Sequence, residues 1–242
     1  MDALLRCSRY AFGPNRLHYC GPAKNTEMRD YINDETADLG LREILEDFET
    51  MYPYLLHIAR ANKIDDPLND RVVEAYWVGN ELLDRVSKND LYWHLVDNLS
   101  LKKKLGKSFA LVEDKIAGGA VPHHSFHVLD IWKRTGFIER AHTLESMDEC
   151  RVSWGRVTAV AGPSVTVLYE PLLYKDGKLT LGTEEPRALT RRLEAEYDIE
   201  QLAVGDLVSI HWGVICEVLS RRQTASLKKY TLRHIALANQ TI

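Results

Sequence analysis

The chain has 242 residues, 45% hydrophobic and 27% charged, with a formal net charge of -4. That length can bury a core without disulfide staples, and the charge supplies no global basic field to draw nucleic acid. No apolar run reaches membrane-spanning length and the N-terminus lacks a signal-peptide pattern, so a cytoplasmic protein with no membrane and no nucleic-acid partner is expected.

The opening Arg9–Pro22 is rich in aromatic residues and carries Cys20. Gly13-Pro14 and Gly21-Pro22 are expected to break regular structure, giving an irregular segment that packs across a helical body and can present Cys20. From Asp38 to about Ala61 apolar residues recur at three- and four-residue steps, which predicts a helix kinked or split at Pro53. Asp65-Asp66-Pro67 is a start signal for a helix running to Val86, with Gly79 inside it. Further helices are predicted over Leu91–Leu105 and Ser108–Ala117, the latter ended by Gly118-Gly119. Lys102-Lys103-Lys104 reads as a solvated helix face.

The next segment, Val121 to Trp132, holds His123, His124 and His127. On a helix, His123 and His127, or His124 and His127, share a face, and two imidazoles on adjacent turns are a common metal-binding arrangement. No HExxH signature accompanies them, and capping or core packing is the competing role. His57 and His94 are read as structural. The four cysteines, Cys7, Cys20, Cys150 and Cys216, form no CxxC pair, which in a reducing compartment points to free thiols, metal ligands or reactive groups.

The pattern changes between Ala141 and Glu149. An all-α helical domain over 1–145 is expected before a β-rich domain over 146–242, an α+β chain as a whole. Strands are predicted over Arg151–Val160 and Ser164–Tyr169, a hairpin over Leu172–Leu181 around Asp176-Gly177, and a peripheral strand or loop in Glu184–Asp198. A long strand Leu207–Leu219 with a bulge or bend at Gly213, then a helix over Gln223–Asn239, complete the chain. Short strands closing with a helix predict a small OB-like β-barrel, but without the basic and aromatic stripe that nucleic-acid binding uses.

Two segments of this second half resemble the [NiFe]-hydrogenase assembly chaperones of the HypC/HupF family. Cys150-Arg151-Val152-Ser153-Trp154-Gly155-Arg156-Val157 keeps the family's cysteine, glycine, basic residue and valine, with Trp154 in place of its proline. Val204-Gly205-Asp206-Leu207-Val208-Ser209-Ile210-His211-Trp212-Gly213 is similar to its Val-Gly-Asp-x-Val-x-Val-His-x-Gly segment. The resemblance covers Cys150 to Asn239. It implies a barrel with a C-terminal helix and a role in building the hydrogenase metal centre. In the family the cysteine helps hold an iron fragment carrying cyanide and carbon monoxide and contacts partner proteins. That role falls here to Cys150, with His211 beside it and Trp154 in the partner-binding set.

Three readings follow. The chain is an accessory protein that binds or delivers iron or holds the immature hydrogenase large subunit, with partners among the maturation proteins. Alternatively it is a metal-dependent enzyme that makes or modifies a small ligand such as cyanide or carbon monoxide. The third is a metal-free adaptor. The candidate metal ligands are Cys20, His123, His124, His127, Cys150 and His211.

Overall fold

A computed structural model describes residues 2–132, 143–162, 164–190 and 202–241. Helices precede strands. They are α1 (Ala3–Arg16), α2 (Asn25–Asn33), α3 (Leu39–Glu46), α4 (Met51–Ala61), α5 (Asp70–Trp77), α6 (Lys88–Trp93), α7 (Leu101–Leu105), α8 (Phe109–Ala117), α9 (His124–Phe126) and α10 (Leu144–Cys150). Wide π turns extend α6 over His94–Asn98 and α9 over His127–Trp132. Then come β1 (Ser153–Ala161), β2 (Ser164–Tyr169), β3 (Leu172–Lys175), β4 (Lys178–Leu181), β5 (Glu185–Thr190), β6 (Leu207–His211), β7 (Val214–Val218) and α11 (Arg221–Ala238).

The expectation for the N-terminus needs correction, because Gly13 and Pro14 lie inside α1. A proline deep in a helix costs about 3 kcal/mol, but Pro14 sits in the last turn and forfeits one hydrogen bond, to the Tyr10 carbonyl. Only residues 17–24 are irregular. Asn15 Nδ2 folds them back by donating to the carbonyls of Cys20 (2.9 Å) and Pro22 (2.8 Å). The Asp38–Ala61 run splits as expected, but at Asp47–Thr50. Pro53 then falls in the first turn of α4, where its missing N–H costs nothing. The helix expected to reach Val86 stops at Trp77, since Gly79 takes φ +94 and its N–H bonds the Glu74 carbonyl (2.8 Å).

In the second half β2 and the β3–β4 hairpin fall where predicted, the hairpin turning through Asp176 and Gly177 with φ of 51 and 79. The predicted strand Leu207–Leu219 is instead two strands, β6 and β7. Trp212 and Gly213 both have positive φ (51 and 71) and make a two-residue turn, with His211 paired to Val214. Of the Glu184–Asp198 region, β5 is described and 191–198 lie outside the described residues. The antiparallel order is β5-β2-β1-β6-β7, with β3-β4 a separate ribbon. Among the described residues nothing pairs β5 with β7, so this sheet is open where a closed barrel was expected.

The change of pattern near residue 145 is not a gap in the core. Leu5, Tyr10, Tyr54 and Trp77 pack in one cluster with Trp154, Cys216, Leu227 and Tyr230. Smaller clusters fill the sheet face (Val157, Val167, Val208) and the space between the β3–β4 ribbon and α11 (Leu172, Leu179, Ile235). Polar contacts also cross the seam. Arg6 is buried against Glu217 (2.8 Å) and Asp70 (3.0 Å); burial alone would lower its pKa, but Glu217, Tyr10 and Asp70 together outweigh this and raise it.

Gly79 is a joint of this arrangement. A Cβ there would lie 2.2 Å from the Tyr230 ring of α11, besides the strain of positive φ. Gly79→Ala is expected to destabilise the chain by about 2 kcal/mol or more, read as a lower urea midpoint. An unchanged midpoint would show that α5 and α11 are not locked at this contact.

Candidate metal centre

His211 ends β6, and the Trp212-Gly213 turn fixes where its ring goes. Because Pro14 has no N–H, the Tyr10 carbonyl lacks its partner within α1, and His211 Nδ1 lies 2.7 Å from that oxygen. A carbonyl only accepts, so Nδ1 carries the proton and the lone pair is left on Nε2. That Nε2 is buried and makes no well-formed hydrogen bond among the described residues, although the Cys150 backbone lies close enough to offset slightly the lowering of the His211 pKa by burial. The close approach needs Gly13, whose Cβ would stand 2.7 Å from the His211 carbonyl oxygen.

His124 opens α9 and meets the seam from the other side. Its Nε2 donates to the Cys150 carbonyl (2.9 Å), which leaves Nδ1 to accept from the Tyr76 hydroxyl (3.1 Å). Cys150 is the last residue of α10 rather than the first of a barrel strand. Its sulfur, one ring nitrogen of His124 and one of His211 all lie within 4.8 Å of one another. Among the described residues no other group brings three metal-ligating side chains this close.

Electrostatics favour the ligating form of the two imidazoles and oppose that of the thiol. Burial holds His211 down to about 4 and His124 well below its ordinary value, so both imidazoles are neutral near pH 7. Burial pushes the Cys150 thiol up, only partly opposed by the indole N–H of Trp212. A metal would therefore displace a proton from Cys150, and its affinity would rise with pH. Two imidazoles and a thiolate suit iron, nickel, copper or zinc. His124 joins the set as a third donor only by giving up one of its two hydrogen bonds, and three protein donors would then leave a position open for an exogenous ligand.

The other sequence candidates lie elsewhere. His123 is the N-cap of α9 with extended backbone, so it does not share a helical face with His127. Its Nδ1 accepts from the Ser125 N–H (3.1 Å) and meets Ser125 Oγ (2.7 Å), which in turn meets His234 Nδ1 (2.7 Å). His127 turns towards Tyr54, ring centroids 5.8 Å apart. Cys20 is outside the three-residue cluster, although its charge would reach Cys150 and raise that thiol further. Burial pushes the Cys20 thiol itself up to about 11. Trp154 is buried, its Nε1 donating to Glu170 Oε2 (3.1 Å). Sequence reading missed the residues that aim the ligands, namely Tyr10, Tyr76 and Trp212. Pro14 was the available signal, since a proline in a helix frees a carbonyl four residues earlier.

Fold and site define a mixed helix-and-sheet protein with a buried Cys/His cluster drawn from both halves of the chain. The chain matches DUF6390, a family of unknown function, over residues 3–242, and belongs to that family. No curated protein matches it, and no solved structure does. Among the described residues, no helix is long and apolar enough to cross a membrane.

Seven buried or half-buried histidines carry lowered pKa values, with burial the largest cause throughout. His57, His127 and His211 fall to about 4, His94 and His123 to about 3, and His124 and His234 well below the ordinary value. Unfolded imidazoles take up protons below about pH 6.5 while the folded ones stay neutral, so the unfolded state binds more protons. Stability should then fall from about pH 6.5 towards pH 4, each group at full slope contributing about 1.4 kcal/mol per pH unit. Urea midpoints measured across that range check this; a flat profile would mean the folded histidines take up protons over the same range as unfolded ones.

Proposed function

We propose that this chain is a cytoplasmic accessory protein of [NiFe]-hydrogenase maturation that holds iron at His124, Cys150 and His211. The observation that carries the reading is the meeting of Cys150 and His211. They come from the two segments that resemble the chaperone family, they are far apart in sequence, and here they share one site with His124. A thiolate is a soft donor suited to low-spin iron, and the open coordination position suits small strong-field ligands such as cyanide and carbon monoxide. The Nε2 of His211, which Tyr10 leaves as the lone-pair nitrogen beside Cys150, supports metal binding independently of the resemblance.

The partner in this reading is the immature hydrogenase large subunit or another maturation protein. Cys150 is half-buried, whereas Trp154 and His211 are buried, so direct contact through the latter two requires local opening. An OB-like barrel belongs to the same reading. The antiparallel sheet followed by α11 supports it in outline, and closure would need pairing of the edges β5 and β7.

Purification without oxygen, metal analysis and infrared spectroscopy in the cyanide and carbonyl stretching region test the proposal. Iron with such bands is expected in the wild-type chain. Cys150→Ala should lose the iron, the bands and association with the large subunit while keeping its circular dichroism spectrum. Iron and association unchanged in Cys150→Ala, or zinc alone in the wild type, would sink it.

A further inference from the structure

A second group of histidines, away from the Cys/His cluster, lines a cavity of about 390 Å³ between α4 and the α6 region. Its floor is His57 and His94, 9% and 3% exposed, with rings stacked at 4.5 Å and 12°. Asp90, Trp93, Asp97 and Arg60 stand at the rim, and Trp93 is half exposed. Sequence periodicity alone would give these histidines a core role, yet they face a cavity of small-molecule size.

The backbone is shaped for this cavity. His94, Asp97 and Asn98 come from one π turn, closed by the Leu99 N–H on the His94 carbonyl (3.3 Å). Such turns are rare and occur mostly at functional sites, because the extra residue disturbs the regular helical ladder. Asn98 Nδ2 donates to His94 Nδ1 (3.0 Å) and fixes that ring. The Nε2 atoms of His57 and His94 are buried with no partner among the described residues. Burial brings His57 down to about 4 and His94 to about 3, so the floor is uncharged near neutral pH.

The wall chemistry selects the ligand. Two carboxylates face one guanidinium, which leaves the rim net negative and disfavours an anion. Ser87 Oγ donates to Asp90 Oδ2 (2.6 Å). Among the described residues no lysine or arginine pairs with Asp90 or Asp97. Imidazole lone pairs lie in the ring plane, so two rings stacked in parallel cannot both point at one ion, which argues against a metal. An exposed indole beside carboxylates does suit a cation with an organic body. We propose that this pocket binds a small organic cation, an alkylammonium or guanidinium compound, held by Asp90 and Asp97 against the Trp93 ring over the His57–His94 floor. This site stands without the metal reading.

The probe is 1,4-diaminobutane, titrated at millimolar concentration into the full chain, with the His57 and His94 ring resonances followed by NMR. Saturable shifts of both rings are expected. The double variant Asp90→Asn/Asp97→Asn, both at exposed positions and so expected to fold, should weaken binding by roughly tenfold or more. Trp93→Ala should weaken it as well. No saturable shift, shifts from inorganic phosphate or acetate instead, or full affinity in the double carboxamide variant would each overturn the proposal. Line-broadening or displacement of the diamine by zinc at His57 and His94 would also overturn it, by making the pocket a metal site.

Discussion

The contact between His211 and the Tyr10 carbonyl organises this molecule. It exists because Pro14 leaves that carbonyl without its helical donor, and it ties the first helix to the sixth strand. The same Tyr10 side chain carries the tie further. Its hydroxyl donates to Glu217 (2.7 Å) and meets Ser209 (2.8 Å), and its ring stacks on Trp77 at 5.2 Å. A hydrogen bond adds only about 1 kcal/mol net, but leaving a buried partner unmatched costs about 1–3 kcal/mol. The arrangement is therefore held mainly by what would be lost if α1 moved off the sheet. Gly13 permits it, since any side chain there would push against the His211 backbone.

From that contact the three histidines of the 123–127 segment acquire separate roles. His124 faces Cys150 and His211. His123 and His234 are joined through Ser125, and the Val121 N–H reaches His234 Nε2 (3.4 Å), so α11 is pinned to the loop before α9. His127 belongs with Tyr54. A series of ring contacts connects the cavity of α4 and α6 with the Cys/His cluster: His57 to His94 at 4.5 Å, His94 to Tyr54 at 4.8 Å, Tyr54 to Tyr76 at 5.5 Å, Tyr76 to His124 at 5.4 Å and His124 to His211 at 5.0 Å. The polar interior is thus one packed body of aromatic and imidazole rings, and burial holds its histidines neutral near pH 7.

Much of the element order was legible in the residues. Gly118-Gly119 ends α8 and Asp176-Gly177 turns a hairpin. These signals act over a few residues, so local chemistry suffices. The misreadings share one cause. Gly13-Pro14, Gly79 and Trp212-Gly213 have local preferences that the tertiary surroundings redirected: a freed carbonyl found His211, a glycine met Tyr230, and a tryptophan accepted positive φ at a tight turn. His57 and His94 are buried as a structural reading expects, but the cavity beside them was not legible because periodicity shows which face is buried and not what lies beyond it.

The sequence by itself determined a helical first half, a strand-rich second half and the chemical types able to bind a metal. Periodicity and turn residues set these through interactions within one or two turns of chain. Which donors meet was decided only by the tertiary structure. Cys150 was prominent from its place at the seam and His211 from its motif, but His124 could not be told from His123 or His127. That choice depends on where a helix begins, because one residue of shift at the cap turns an imidazole from the α11 interface to the seam. Helix starts, freed carbonyls and strand turns converge there from parts of the chain up to 201 residues apart, and only packing brings them to one point.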